Sequence, residues 1–184
     1  MIKFPDSQLS SNPEVIIVAF YLSQRPDSLG RRIEEIWLWD YRRLEDTHDY
    51  IQWLFPLEHK SRFNPAAPVL NEAAIQSFRT NEQLRIRLRQ SLEVMLRFYG
   101  LQVNESGSTD IEISQSDEYR ERKKVWLNPR NHNYLRLTRI LTSLKLLGLE
   151  NHAQALFKCL SQIYEEEGDC IGSETYAFWK NAVK

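Results

Sequence analysis

Two arginines between residues 130 and 147 have the spacing of a binding stripe on a helix. With Leu137 placed at zero and 100° per residue, Arg136 and Arg139 fall at about 200° to 260°. Four apolar residues share the core face with Leu137: Ile140, Leu141, Leu144 and Leu147. His132 and Ser143 lie on the same stripe as the two arginines, and Leu135 and Leu146 border it. Because leucines flank the arginines, we expect both guanidinium groups to be partly buried in a groove, where they need acceptors.

Two kinds of acceptor could satisfy these arginines. An internal one is the acidic cluster Glu45, Asp46 and Asp49, which would lock two helices together. An external one is an anionic ligand, a carboxylate or a phosphate, held by bidentate hydrogen bonds in the groove. The sequence leaves both alternatives open.

Histidines add a second element to the predicted groove. His48 and Gln52 are four residues apart and therefore share one helix face, which could line the groove together with His132. The leading hypothesis is a binding module without catalytic residues, which takes an anionic or peptide ligand. One alternative is a small hydrolase or transferase for an anionic small molecule, with His48 or His132 as general base and the arginines as clamp. Another is a protein-interaction scaffold that binds no ligand.

Several classes of site have no pattern in the sequence. The four histidines, at 48, 59, 132 and 152, lack metal-ligand spacing, and neither a nucleophile elbow nor a glycine-rich phosphate loop occurs. We therefore expect no metal and no cofactor. The net charge of −1 and the mixed signs of the arginine-rich segments argue against nucleic-acid binding.

The composition predicts one helical domain. The chain has 184 residues, of which only 6 are glycine and 7 are proline, so long helices are favoured. The longest apolar run, Val15–Leu22, is too short to span a membrane, and no basic segment precedes it as in a signal peptide. With two cysteines, Cys159 and Cys170, read as reduced thiols, we expect a cytoplasmic protein.

We predict an all-α fold, an irregular or orthogonal bundle of about seven helices in a single domain over residues 1–184. Residues 1–13 are expected to be loosely held, and residues 101–117 to form a long polar loop. Predicted helix starts lie at Asp46, Asn71, Thr80, Asn128–Pro129 and Ser173. Further helices are predicted at 33–44 and 150–167. Residues 15–22 form either a short buried helix, which we favour, or a strand, which their β-branched residues would suit.

Three ordered motifs resemble the conserved region of the opioid growth factor receptors. They are Leu44–Leu57 (LEDTHDYIQWLFPL), Glu93–Gly100 (EVMLRFYG) and His132–Leu141 (HNYLRLTRIL), followed by Leu147–Glu150 (LGLE). The similarity runs from about Phe20 to the C-terminus.

The resemblance implies a receptor for an enkephalin peptide. In animals such receptors are nuclear or perinuclear and do not span a membrane. The resemblance also allows peripheral association with a membrane. It implies no catalytic residues. Together with the helix-face reasoning, it gives seven candidate ligand-binding residues: His48, Gln52, Trp53, His132, Asn133, Arg136 and Arg139. The oligomeric state is not predicted.

Overall fold

The computed structural model describes residues 13–105 and 111–184. The expected loose segment at residues 1–13 thus lies outside the described chain, apart from its last residue. The chain divides between Leu88 and Arg89 into two compact units, here called the N-terminal and the C-terminal unit. The single domain expected from the sequence stays a prediction. Helices dominate, so the predicted all-α class is confirmed, with one small hairpin as an exception.

The described ranges contain ten helices instead of about seven, together with two strands. The helices that begin in the N-terminal unit are α1 (Pro13–Tyr21), α2 (Ile33–Trp37), α3 (Tyr41–Asp46), α4 (Ile51–Leu54), α5 (Glu72–Thr80) and α6 (Glu82–Tyr99). The C-terminal unit continues with β1 (Leu101–Glu105), β2 (Ile111–Gln115), α7 (Tyr119–Trp126), α8 (Asn133–Leu146), α9 (Glu150–Ile171) and α10 (Ser173–Ala182).

Aromatic residues of α1 form the centre of the N-terminal unit. The ring of Phe20 lies 5.1 Å from that of Trp53, and the ring of Tyr21 lies 4.8 Å from that of Phe78. The hydroxyl of Tyr21 donates to the backbone carbonyl of Leu54. These side chains, all buried, tie α1 to α4 and α5.

The predicted helix start at Asp46 is wrong. Asp46 is the last residue of α3, whose true N-cap is Asp40, with the backbone N–H of Arg43 donating to its carboxylate at 2.7 Å. The apolar run that follows forms only the single turn α4, because Pro56 stops the helix. At the start of α6 the cap is Asn81, which accepts from the backbone N–H of Gln83 at 2.9 Å, and not the predicted Thr80.

Two tryptophans anchor the core of the C-terminal unit. The indole N–H of Trp126 donates to the carbonyl of Tyr99 at 3.1 Å, and that of Trp179 donates to the carbonyl of Tyr134 at 3.2 Å. Each ring also stands edge-on to the aromatic ring of its partner residue. Both tryptophans are completely buried, and their polar atoms are satisfied.

The predicted polar loop at 101–117 is wrong where the structure describes it. Strands β1 and β2 pair antiparallel, with Val103 opposite Ile113, while residues 106–110 lie outside the described chain. The signal for strands is the alternation of apolar and polar residues in LQVNE and IEISQ, with period 2. The serines and the glycine between the two runs concealed this alternation.

The predicted helix start at Asn128–Pro129 is also wrong. The side-chain amide of Asn128 donates to the carbonyl of Lys124 at 2.9 Å, so Asn128 closes α7, a helix that was not predicted. Helix α8 begins at Asn133 after His132. Helix α9 continues beyond the predicted end at 167 through a kink at Glu167 and stops at Gly172.

Candidate functional site

Helix α8 is buried on two faces, as the sequence predicted. Its leucine and isoleucine face is fully enclosed, and on the second face Arg136 is 5% exposed and Ser143 is 0% exposed. Arg139 is half-buried. The prediction that both arginines are partly desolvated is therefore confirmed.

The guanidinium of Arg136 belongs to a buried polar network. Its Nη1 donates to Oδ1 of Asn133 at 3.2 Å, and the hydroxyl of Tyr99 donates to the same oxygen at 3.4 Å. The Nδ2 of Asn133 donates in turn to Oδ1 of Asn131 at 3.0 Å. Asn133, completely buried, thus links Arg136 to α6 and to the segment before α8.

Arg139 occupies a different environment on the same helix. Burial lowers the pKa of its guanidinium to about 10, since a dry environment disfavours the charged form. The group stays protonated at neutral pH. A desolvated cation interacts more strongly with an anion than a fully hydrated one does, and Arg139 retains partial exposure to solvent.

Four side chains share the outer face of α8. Leu135 is 58% exposed, His132 is exposed at the N-cap, and Arg139 and Leu146 are half-exposed. Residues three, four and seven apart lie on the same side of a helix, so His132, Leu135, Arg139 and Leu146 form one surface, which we call the outer face of α8. It combines one desolvated cation with exposed apolar area.

The three other candidate residues lie in the N-terminal unit. His48 is exposed between α3 and α4, whereas Gln52 is 4% and Trp53 is 3% exposed. In the amide orientation that satisfies its neighbours, Gln52 donates to the carbonyls of His48 at 3.3 Å and Asp49 at 3.2 Å. Trp53 has no hydrogen-bond partner for its indole nitrogen in the part of the chain that is described.

Two of the acidic residues offered as internal acceptors have arginine partners in their own unit. Oδ1 of Asp49 lies 2.7 Å from Nη1 of Arg31, and Oδ2 of Asp46 lies 3.5 Å from Nε of Arg42. Arg31 also contacts Asp27, at 2.6 Å. Asp49 therefore has a structural role around Arg31, whereas Asp46 and Arg42 form an exposed pair.

A cleft in the C-terminal unit was not predicted from the sequence. It has a volume of about 790 Å³ and lies between strand β2 and helix α9. Its lining comprises Ile111, Glu112, Ile113, Asn151, Gln154, Ala155, Phe157, Lys158, Ser161 and Gln162. The alternation of apolar and polar residues in β2 indicates one wall of this cleft, but not its position beside α9.

No helix in residues 13–105 and 111–184 is both long enough and apolar enough to cross a membrane.

Known proteins resemble this chain along most of its length. It is 36% identical over 160 residues to opioid growth factor receptor-like protein 1 of Xenopus tropicalis, covering 84% of this chain and 30% of the relative. It is 40% identical over 129 residues to the human opioid growth factor receptor, covering 68% of this chain and 18% of the relative. The chain thus spans less than a third of the length of either protein. No solved structure matches it.

The conserved region of the opioid growth factor receptors (OGFr) matches residues 11–184. The matched range contains all three motifs noted in the sequence. The chain therefore belongs to the opioid growth factor receptor conserved-region family.

Proposed function

We propose that this protein is a binding module for a peptide ligand, without catalytic residues, and that the outer face of α8 receives a carboxylate of the peptide. The relatives are named as receptors for an opioid growth factor, which supports a peptide as the ligand class. The observation that carries the proposal is the half-buried Arg139 beside the exposed Leu135 on one helix face.

The chemistry of this face suits a peptide end. A guanidinium binds a carboxylate through two parallel hydrogen bonds, and partial burial strengthens that interaction. Leu135 and Leu146 offer apolar area to a neighbouring side chain of the ligand, and His132 offers a polar group at the start of the helix. A peptide with a free C-terminal carboxylate combines both needs.

The candidate residues divide between contact and support in this proposal. His132 and Arg139 contact the ligand, because they are accessible. Asn133 and Arg136 hold α8 in place from the buried side. A ligand-binding role for His48, Gln52 and Trp53 stays a prediction from the sequence.

Titration with a labelled peptide tests the proposal. The probe is an enkephalin peptide with a free C-terminal carboxylate, compared with the same peptide as its C-terminal amide. We expect the acid to bind at least about tenfold more tightly, which corresponds to about 1.4 kcal/mol for one charge-assisted contact. Arg139→Gln should remove the difference. Arg120→Gln, which changes an exposed arginine of α7, should preserve it.

Two results would contradict the proposal. One is absence of binding by either peptide to the folded protein. The other is equal affinity for acid and amide, or a preference that survives Arg139→Gln in a variant with an unchanged melting temperature.

A further inference from the structure

Among the described residues, the backbone groups on the outer edge of strand β2 have no hydrogen-bond partner. The backbone N–H of Ser116 donates to the carbonyl of Gly100 at 2.9 Å, which fixes the phase of the ladder. Hydrogen-bonded pairs alternate along an antiparallel ladder, so with this register Ser114 bonds to Gln102 and Glu112 bonds to Asn104.

Ile111 and Ile113 alternate with Glu112 and Ser114 along β2 and therefore direct their N–H and C=O groups away from β1. Within the described chain, neither residue has another backbone hydrogen bond. An edge of this kind is a template for a further strand.

This edge borders the cleft between β2 and α9. Ile111, Glu112 and Ile113 are consecutive and all line the cleft. Successive side chains of a strand point to opposite faces. Lining by three consecutive residues therefore places the edge of the strand at the cleft and not just one of its faces.

The opposite wall of the cleft is one face of α9. Its lining residues recur at helical spacing: Asn151, Gln154, Ala155, Lys158, Ser161 and Gln162. From first to last they span about 16 Å at 1.5 Å per residue. A five-residue extended segment spans about 13 Å from its first to its last Cα at 3.3 Å per residue, so it fits along this wall.

The side chains of this wall suit the main chain of a peptide. Asn151, Gln154 and Gln162 carry amides that can both donate to and accept from peptide groups. Lys158 is exposed and positively charged. Phe157 is held in place by Tyr176, since the two rings are stacked with their centres 5.8 Å apart.

We propose that the cleft between β2 and α9 binds an extended peptide of about five residues, which adds to β2 as a third strand and places an acidic side chain near Lys158. The occupant is a segment of a protein partner. The backbone of Ile111 and Ile113 supplies affinity, and Lys158 and Phe157 supply selectivity, as in other cases of strand addition. The inference does not depend on Arg139, and it adds a second site to the proposed function.

Selection from a displayed library of linear decapeptides on the full chain supplies the probe. We expect selected peptides with an acidic residue to bind, and their affinity to fall at least about tenfold for Ile111→Pro, which removes an outward N–H without breaking a bond to β1. Val103→Pro is the matched control, because it removes an outward N–H on the opposite edge of the hairpin. The affinity of the selected peptides for this variant should stay within about twofold of that for wild type.

Two further measurements keep the test decisive if the proline variant is poorly folded. Lys158→Glu, at an exposed position, should weaken binding of the same peptides by about fivefold or more. In NMR spectra of the wild-type protein, binding of these peptides should shift the backbone amide signals of Ile111 and Ile113. Failure to enrich any peptide overturns the inference, and so does equal binding to folded Ile111→Pro and Lys158→Glu. Loss of binding with Arg139→Gln while Lys158→Glu binds normally assigns the peptides to α8 and also overturns it.

Discussion

Asn133 accepts a hydrogen bond from Arg136 one turn later on α8, with 3.2 Å between Oδ1 and Nη1. Both residues are nearly or completely enclosed, at 0% and 5% exposure. The stripe that the sequence indicated as a ligand groove is thus partly an internal network. Arg139, by contrast, is half-exposed, which makes the environments of the two arginines different.

The first prediction concerns this network. Asn133→Ala removes the acceptor shared by Arg136 and Tyr99, and we expect the free energy of unfolding to fall by about 2 to 4 kcal/mol, because a buried charged donor loses an acceptor. Urea denaturation measures the change. Asn181→Ala, at an exposed position of α10, should change it by less than about 0.5 kcal/mol. Similar effects of both changes would show that the network contributes nothing.

The second prediction compares two glycines with left-handed backbones. Gly30 has φ +80° and Gly100 has φ +76°. A Cβ at Gly30 meets nothing within 4 Å, whereas at Gly100 it would lie 2.6 Å from Cα of Tyr119. Gly30→Ala should therefore cost only the backbone strain, about 1 to 2 kcal/mol. Gly100→Ala should cost clearly more, because the backbone of α7 must move.

Thermal and denaturant unfolding of the two variants check this order. Equal losses of stability would mean that the close approach at Gly100 does not exist. The sequence alone does not indicate that α7 packs against Gly100, since that contact depends on the hairpin returning the chain.

The third prediction concerns the arginine that holds Asp27 and Asp49. Arg31→Ala leaves the fully buried carboxylate of Asp27 without its ion-pair partner. We expect a loss of about 2 to 3 kcal/mol in the free energy of unfolding, because a buried charge loses its counter-ion. Arg42→Ala is the control, since Arg42 and Asp46 are 90% and 66% exposed and such pairs contribute little. A cost for Arg42→Ala as large as that for Arg31→Ala would contradict this account.

The fourth prediction is a dependence of stability on pH. Burial, with a smaller contribution from the negative charge of Glu112, raises the pKa of the Cys159 thiol to about 11. An unfolded thiol titrates near a pKa of about 8.5. Above that pH the unfolded chain loses a proton that the folded chain keeps, so the free energy of unfolding should fall as pH rises from about 8.5 to about 11.

Denaturation series at pH 8, 9 and 10 measure this slope. Cys159→Ala should flatten it, whereas Asn181→Ala, an exposed change that removes no titratable group, should preserve it. An unchanged slope in Cys159→Ala would show that the thiol does not titrate in this way.

Sequence reasoning was most accurate where one helix carries its own signal. Helix α8 has a strict 3.6-residue period, so its core face and the burial of Arg136 could be predicted. The helix starts were predicted less accurately, because the side chains of Asp46 and Asn128 can either begin one helix or close another. Asn128 closes α7 through a local hydrogen bond, which competes with its role as an N-cap.

The hairpin and the cleft could not be predicted in the same way. Each strand has only five residues, and a single period-2 run of that length is a weak signal until its partner is known. The position of β2 beside α9 depends on contacts far apart in sequence. Asn133 likewise belongs to a recognised motif, but its bond to Tyr99 depends on the packing of α6 against α8.

The most direct measurement of the central claim is a double-mutant cycle between protein and peptide. The affinities of wild type and Arg139→Gln are measured for the enkephalin peptide as free acid and as C-terminal amide. The account predicts a coupling of about 1 to 3 kcal/mol between the guanidinium and the carboxylate, with no change in melting temperature beyond that of Arg120→Gln. A coupling of zero, with the acid still bound by the variant, would contradict it.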